Sequence, residues 1–323
     1  MQQAFIFDTA PFAAAHASTI AETPNGLVVA WFGGTREGHG DVRIWLSRRR
    51  DGQWSAPEPV ADGVASRLKR FPCWNPVLFQ VPGGPLLLFY KVGPSPSRWW
   101  GMMMRSTDGG STWSEPEKLP EDIYGPIKNK PVLRADGVLL CPSSCERHGW
   151  RVHMEYTGDL GKTWRRGPPL NQREAFAAIQ PTILNHADGG IQLLCRSRQG
   201  AITECWSSDG GETWSKMQPT ELPNPDSGID GVNLADGRGL LVYNHAAASR
   251  SPLNVIVSDD GVHWHALAVL EEVPGEFSYP AVIAGGCGRI HITYTWNRRR
   301  IRHVVLDPAD FEHRPIESGL WPA

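Results

Sequence analysis

The sequence predicts an all-β protein, a six-bladed β-propeller built from four-stranded antiparallel blades. Similar phrases that end in Trp return along the chain, and most follow a pair of apolar runs joined by a turn that contains Gly. Helical periodicity is nearly absent, and the 27 Pro residues also favour strands and turns. A repeat of about 50 residues is typical of an array of equivalent supersecondary units.

The repeated phrase has the form Ser-x-Asp-x-Gly-x-x-Trp, with small variations between copies. Its Trp residues are Trp54, Trp113, Trp164, Trp214 and Trp264, so that successive ones lie 59, 51, 50 and 50 residues apart. An Asp side chain can bond the amides of a turn, and Gly supplies a positive φ, so the phrase predicts the turn of a β-hairpin. We expect the Trp to open the second strand of this hairpin and to fill the space between adjacent blades.

A second hairpin is predicted ahead of each phrase by two apolar runs and the turn that joins them. The six copies of this pattern cover residues 17–31, 75–89, 130–140, 180–194, 230–242 and 279–293. Two hairpins make one four-stranded blade, and six blades around an axis make a propeller.

The sixth unit ends near Leu306 without a Trp phrase, so its outer strand is missing. The apolar segment 4–8 at the start of the chain is predicted to supply that strand and to close the ring. Closure removes the exposed sheet edges that would otherwise invite association. On this interpretation residues 1–323 form a single domain.

The composition sets limits on partners and location. A net charge of −2 gives no reason to expect nucleic acid or an anionic membrane as a partner. No apolar run approaches the length of about 18 residues that a membrane span needs, and no signal peptide is visible, so the cytoplasm is the expected location.

The six Cys residues lie mostly in apolar runs and are expected to be reduced. No cofactor and no metal site is expected, because the acids and His residues lack a ligand spacing. The oligomeric state stays open.

Up-and-down strand alternation assigns residues to the two faces of the ring. The start of each first strand, the end of each second strand and the start of each third strand share one face, the mouth. The Trp phrases lie on the opposite face and are expected to be scaffold. The candidate substrate-contacting residues at the mouth are His16, Arg36, Glu37, Asp41, Trp74, Asn75, Lys130, Gln180, Arg196, Asn244, His245, Arg250 and Tyr279. A concave surface with these polar groups suits a small acidic molecule.

Several of these side chains have chemistry that suits such a ligand. The forked guanidinium groups of Arg196 and Arg250 match a carboxylate, although they could instead form salt bridges between blades. Asp41 could donate a proton if burial raises its pKa, or it could simply open a strand. His16 could act as base, acid or hydrogen-bond donor. The basic run 298–302 is expected on a solvated strand face.

The Trp phrases resemble the Asp boxes of the sialidase superfamily of glycoside hydrolases, and the resemblance covers all six blades. Asp boxes also occur in proteins that are not sialidases, so the resemblance implies a sialidase-like fold more strongly than an activity. Sialidases hold the substrate carboxylate with three Arg, use a Tyr nucleophile activated by a Glu, and use an Asp as acid/base. The resemblance implies that Tyr279 is the nucleophile and Asp41 the acid/base. It also implies that Arg196 and Arg250 are the second and third Arg.

Two positions depart from that pattern. His16 stands where the first Arg is expected, and Gln180 stands where the Glu that activates the Tyr is expected. A neutral amide cannot take the phenol proton, and a free phenol with a pKa of about 10 is a poor nucleophile at neutral pH. We therefore expect a divergent BNR-repeat protein whose substrate need not be sialic acid.

Three functions are compatible with these residues. The first is an exo-acting glycosidase on a carboxylate-bearing sugar, with Arg196 and Arg250 on the anion, Asp41 as acid/base, and Tyr279 or an activated water as nucleophile. The second is a uronate lyase, in which His16 and Tyr279 remove the proton next to the carboxylate. The third is a non-catalytic propeller that binds a glycan or a protein.

Overall fold

The computed structural model describes residues 1–66, 69–147, 149–172, 174–310 and 312–322, and these fold as predicted into a six-bladed β-propeller of antiparallel sheets. The strands of the first three blades are Ala14–Thr23, Gly26–Gly34, Arg43–Arg50 and Gln53–Trp54 in blade 1; Cys73–Gln80, Leu86–Val92, Trp100–Ser106 and Glu117–Lys118 in blade 2; and Val132–Leu133, Leu139–Cys145, Arg151–Thr157 and Arg165–Arg166 in blade 3. The strands of the last three are Ala178–Asn185, Ile191–Ser197, Ala201–Ser207 and Gln218–Pro223 in blade 4; Asp230–Asn233, Gly239–Tyr243, Leu253–Ser258 and His265–Glu271 in blade 5; and Phe277–Ala284, Ile290–Trp296, Arg300–Leu306 and Gln2–Phe5 in blade 6.

A few short elements lie outside this plan. Glu58–Ala61 adds to the third strand of blade 1, and Arg314–Pro315 adds to the outer strand of blade 5. Val64–Ser66 and Lys69–Arg70 form a separate hairpin, and Pro308–Asp310 is a single 3-10 turn. Within the described part of the chain, no helix is long and apolar enough to cross a membrane.

The outer strand of blade 6 comes from the start of the chain. Gln2–Phe5 pairs antiparallel with Arg300–Leu306, so that Gln2 lies opposite Val305. The strand begins two residues before the segment 4–8 and ends at Phe5, because the chain then turns inward: Phe7 is buried and stacks on Trp31 with ring centroids 5.1 Å apart. The start of the chain thus completes the sheet of blade 6, which closes the ring.

The apolar core contains six clusters that lie one between each pair of adjacent blades, and a smaller seventh cluster of Trp74, Trp99, Tyr124 and Ile127. In one of them Phe89 of blade 2 packs with Leu139 of blade 3, and Trp164 packs against both blades from the next turn. The Trp residues of the other four phrases pack in the same way against the cluster shared with the preceding blade. The predicted position of these side chains between blades is therefore confirmed. All six Cys are free, four of them buried, with Cys145 half-buried and Cys287 exposed.

The Asp boxes are scaffold turns. Asp209 accepts hydrogen bonds from the backbone N–H groups of Glu212 and Thr213, at 3.0 and 2.9 Å, and from the hydroxyl of Thr213 at 2.6 Å. The adjacent carbonyl of Gly211 accepts a hydrogen bond from Tyr156 of the preceding blade. Asp108, Asp159 and Asp260 organise their turns with the same contacts. These carboxylates are occupied by hydrogen bonds within their own turns.

One detail of the Trp phrases differs from expectation. Trp113 and Trp214 do not open the exit strand, which begins only at Glu117 and at Gln218. The Ser that follows the Trp explains the difference, since in blade 4 the backbone N–H of Ser215 donates to Trp206 O while its hydroxyl accepts from Trp206 N. A side chain takes one of the two ladder bonds, and the chain leaves the sheet before the strand resumes.

Trp264→Phe should lower the free energy of unfolding by about 1–3 kcal/mol more than Trp113→Phe. The buried Trp264 indole donates to Gly261 O at 3.1 Å, whereas the buried Trp113 indole N–H has no partner within the described residues. Urea denaturation of both variants measures the difference. Equal losses would show that packing alone, and not the hydrogen bond, fixes these side chains.

Candidate active site

The first strands of four blades carry the same irregularity near the mouth. Ala17, Asn75, Gln180 and Tyr279 have φ values of 55°, 34°, 56° and 52°, and the pairing register with the second strand shifts at each of them. A left-handed conformation costs a non-Gly residue about 1–3 kcal/mol, and such positions cluster at functional sites. A β-bulge also redirects a side chain out of the sheet. The bulges of blades 4 and 6 bring Gln180 and Tyr279 into contact across the mouth.

The phenol oxygen of Tyr279 accepts two N–H groups. Arg196 Nη1 donates to it at 2.8 Å, and Gln180 Nε2 donates at 3.3 Å. The Arg250 guanidinium and Lys128 Nζ lie 5.8 and 5.9 Å from the centroid of the ring. N–H donors aimed at one oxygen, with cations around it, stabilise negative charge on that oxygen.

Arg196 is committed to protein partners. Its Nε and Nη2 donate to Asp226 Oδ1 at 3.0 and 2.7 Å, and its Nη1 donates to Gln180 Oε1 at 3.1 Å as well as to Tyr279. Four of the five N–H groups of a guanidinium are thereby used. The sequence left two alternatives for Arg196, a fork for a carboxylate or a salt bridge between blades, and the structure shows a salt bridge to Asp226 in the loop between blades 4 and 5, with the Arg196 side chain only 7% exposed.

Arg250 and Arg298 share one carboxylate. Glu276 Oε1 accepts Arg250 Nη1 at 2.8 Å and Arg298 Nε at 2.6 Å, and Arg298 Nη1 also contacts Glu37. The expectation of a solvated strand face for the basic run is wrong at Arg298. Residues 297–299 form the turn after the second strand of blade 6, so strand alternation does not apply until Arg300.

His16 is a buried, neutral imidazole beside Tyr279. Its Nδ1 lies 2.9 Å from Thr295 Oγ1, its Nε2 has no hydrogen-bond partner in the described structure, and its ring centroid lies 4.3 Å from that of Tyr279. Burial, with only 3% of the residue exposed, lowers the pKa of His16 well below 6.5, and the positive charges nearby, that of Arg298 foremost, add to the effect. His16 is therefore uncharged at neutral pH and has one unused ring nitrogen.

Two lysines lie near the axis of the ring. Lys128 Nζ donates to Asn129 Oδ1 and Ile229 O, each at 2.9 Å, and to Pro280 O, which follows Tyr279. Burial lowers the pKa of Lys128 to about 7. Lys130 Nζ donates to both carboxylate oxygens of the buried Asp230 at 3.1 Å, so the structure gives it a role in joining blades.

Asp41 differs from the sequence expectation. Its carboxylate accepts the N–H and hydroxyl of Thr35, at 3.1 and 2.6 Å, and lies 2.7 Å from His39 Nδ1. Partial burial acts to raise the pKa of Asp41, but these hydrogen bonds outweigh it and lower the pKa, so the rise that would suit Asp41 to donate a proton does not occur. The side chain is 40% exposed and lines an open cleft of about 630 Å³ with Arg43 and Arg70. In the described part of the chain no hydrogen bond joins it to Tyr279 or His16.

The other residues predicted from blades 1 and 2 are Trp74, Asn75, Arg36 and Glu37. Trp74 is buried, donates from its indole to Gly93 O at 2.9 Å and packs on Trp99, and Asn75 is buried at its bulge. Arg36 is exposed on the loop that carries Asp41, where Glu37 contacts Arg298. This loop is thereby attached to blade 6.

The residues predicted from blade 5 divide into two roles. Asn244 Nδ2 donates to Pro252 O and Phe277 O, each at 2.9 Å, and so fixes the segment that carries Arg250 against blade 6. His245 instead contacts the Tyr243 hydroxyl and the Trp321 ring, and it has no hydrogen bond to the Tyr279 group in the described structure.

Sequence reasoning missed Asp226, Glu276 and Arg298. Glu276 directly precedes the first strand of blade 6, Asp226 precedes that of blade 5, and Arg298 follows a second strand by two residues. The sequence analysis placed only residues at the very starts and ends of strands at the mouth. Including the loop residues up to four positions beyond each strand would have added Asp226, Glu276 and Arg298. Among the described residues, no group of three or more His, Cys, Asp or Glu could hold a metal ion.

A six-bladed propeller with Asp boxes on one face and a Tyr–Arg group on the other defines a sialidase-superfamily protein. The family described as "BNR repeat-like domain" matches residues 25–292, and the chain belongs to this family.

Curated relatives agree with this assignment. The chain is 23% identical over 185 residues to a sialidase of Bacteroides fragilis, and 24% identical over 253 residues to an anhydrosialidase of Macrobdella decora. These matches cover 50% and 67% of this chain but only 33% and 32% of the relatives. The chain thus spans about a third of the length of the curated relatives it matches.

Solved structures share the fold. A protein of unknown function from Dyadobacter fermentans superposes with a TM-score of 0.80 at 17% identity, over 95% of this chain and 98% of that one. The NanB sialidase of Streptococcus pneumoniae superposes with a TM-score of 0.78 at 13% identity, over 96% of this chain and 71% of that one. At such identities the likeness establishes the propeller fold alone.

His16 should make the protein less stable in acid. An unfolded His takes up a proton below a pH of about 6.5, whereas the folded His16, with its lowered pKa, does not. The titration of His16 therefore does not change the free energy of unfolding above that pH and lowers it below that pH. His16→Gln should reduce the fall in Tm between about pH 7 and about pH 5.

His263→Gln is the matched control. The hydrogen bond and charge of Asp260 raise the pKa of His263, so this side chain stabilises the fold as the pH falls and its removal should steepen the loss of Tm. Parallel Tm–pH curves for wild type and His16→Gln would contradict a neutral, buried His16.

Proposed function

We propose that this protein is a sialidase-like, exo-acting glycosidase that acts on a carboxylate-bearing sugar, with Tyr279 as the nucleophile. The observation that carries the proposal is the environment of the Tyr279 oxygen, which accepts N–H groups from Arg196 and Gln180. The family membership and the relatives named as sialidases support the same reaction class. The guanidinium groups at the mouth suit the carboxylate of the substrate.

In the proposed reaction the Tyr279 oxygen attacks the anomeric carbon and the bond to the leaving oxygen breaks. Water then cleaves the sugar–tyrosine bond. Gln180 cannot remove the phenol proton, so Arg196 and Gln180 would stabilise the phenolate while His16 accepts the proton on its unused nitrogen. Burial keeps His16 neutral, but the lowered pKa of its imidazole also makes it a weak base. The proposed transfer therefore requires the N–H donors on the Tyr279 oxygen to stabilise the phenolate.

Asp41 is the proposed proton donor to the leaving oxygen. Thr35 and His39 hold it ionised in this arrangement, so it must be released from them to carry a proton. Its loop can respond to the substrate because Glu37 of the same loop contacts Arg298 at the mouth. The proposed reaction therefore includes a movement of residues 35–41 on binding.

One observation favours elimination as a second candidate. A neutral His16 with an unused ring nitrogen lies against Tyr279, beside a neutral Gln180 and several cations. In a uronate lyase the cations would neutralise the sugar carboxylate, a base would take the proton next to it, and the bond to the leaving oxygen would break as a double bond forms.

A substrate panel separates the two reactions. Aryl glycosides of N-acetylneuraminate and of hexuronates are compared with uncharged aryl hexosides by the aryl alcohol that is released. Oligouronides linked through O4 are tested separately for the ultraviolet absorbance of a conjugated double bond, because elimination breaks the bond at C4 and leaves an anomeric aryl group in place. We expect release from an acidic aryl glycoside only, and no new absorbance from the oligouronides. New absorbance from the oligouronides without release of aryl alcohol would establish the lyase, and binding without either signal would leave a glycan-binding propeller.

On the glycoside that is cleaved, Tyr279→Phe should lower kcat by about 100-fold or more, because the nucleophile is lost. KM should change little, since the ring remains. Tyr294→Phe is the matched control, because this buried Tyr of the same blade donates to Glu271 at the end of the outer strand of blade 5 and has no hydrogen bond to Tyr279 within the described residues. A Tyr279→Phe protein with normal kcat would exclude Tyr279 as the nucleophile.

A further inference from the structure

We propose that the substrate carboxylate binds to Arg298 together with Arg250, and that Glu276 positions this pair. The inference rests on the proposed function, since it concerns how the acidic sugar is held. It assigns the role to a residue of the turn after the second strand of blade 6 in place of Arg196.

The guanidinium groups of Arg250 and Arg298 lie next to each other because they share one hydrogen-bond acceptor. Arg250 Nη1 and Arg298 Nε donate to the same oxygen of Glu276, so their positions are fixed relative to each other. Their side chains are 24% and 33% exposed, so that solvent and ligands can reach them. The Arg196 side chain is only 7% exposed and is therefore less accessible to a ligand.

Unused donors distinguish this pair from Arg196. Arg250 Nε and Nη2, and Arg298 Nη2, make no hydrogen bond within the described part of the chain. Arg196 directs four N–H groups to Asp226, Gln180 and Tyr279. A carboxylate needs at least two convergent donors for a strong charge-assisted contact, and only the first two residues offer them free.

Backbone hydrogen bonds fix the pair next to the catalytic group. The N–H of Phe277 donates to Arg250 O, and that of Glu276 donates to Asn297 Oδ1. Arg298 O accepts the N–H of Ala15, one residue before His16. Arg298 itself has a φ of 56°, a strained conformation that is typical of functional sites.

Glu37 already contacts the Arg298 guanidinium group that the ligand would bind. This exposed carboxylate of the blade 1 loop contacts Arg298 Nη1, whereas Glu276 approaches Nε. An incoming carboxylate would displace Glu37 and keep Glu276. Glu37 is therefore an internal competitor, and its removal should strengthen binding.

The test is calorimetric binding of two acidic probes, the 2,3-didehydro derivative of N-acetylneuraminic acid and methyl α-D-glucuronide, each with its methyl ester. Arg298→Ala should weaken binding of the acid by about 10–100-fold and leave the ester unchanged. Glu37→Gln should tighten binding of the acid. Arg299→Ala is the matched control, because this adjacent Arg is exposed and its side chain makes no hydrogen bond or ion pair within the described residues.

A melting curve of each variant verifies folding, and Arg298→Lys, which keeps the charge without the fork, should give an intermediate loss. If wild type prefers the acids and Arg298→Ala keeps that preference, the role of Arg298 is overturned while the proposed function stands. If wild type does not distinguish acid from ester, both the role and the acidic substrate are overturned.

Discussion

A left-handed residue near the start of the first strand is the constraint on which the mouth depends. In blades 4 and 6 that residue is followed by Pro, and its side chain leaves the sheet toward the axis. Gln180 and Tyr279 meet only because both blades carry the same bulge. The interblade clusters and the closed ring over-determine these strained positions, so that the fold can sustain their cost.

The charges of the mouth follow from what is missing as much as from what is present. His16 and Gln180 are both neutral where the sialidase pattern has an Arg and a Glu, so one charge of each sign is lost together. The remaining cations are held by Asp226, Glu276 and Glu37. The phenol oxygen of Tyr279 is consequently surrounded by donors instead of facing a carboxylate base.

The periodic part of the structure could be predicted from the sequence. The Trp phrases and Gly turns were sufficient for the blades, and strand alternation was sufficient to place His16, Gln180 and Tyr279 on one face, although not to predict the bulges that bring Gln180 and Tyr279 into contact. These properties depend on repeat length and on a period of two, both of which are visible in a single chain.

The rest depends on turns and on the reach of long side chains. The lowered pKa of Asp41 comes from Thr35 and His39, whose approach is set by loop geometry that has no period. The sequence could not decide between a free Arg196 and a salt bridge, because Asp226 lies in a loop thirty residues away along the chain. Arg298 was misplaced because it lies in the turn just before its strand begins.

The most direct test of the account is a crystal structure of the protein with the 2,3-didehydro derivative of N-acetylneuraminic acid. The account predicts the sugar ring over Tyr279, with its carboxylate between Arg250 and Arg298 and with Glu37 displaced. A sugar bound only in the cleft of Asp41, Arg43 and Arg70, or on the face of the Asp boxes, would contradict it.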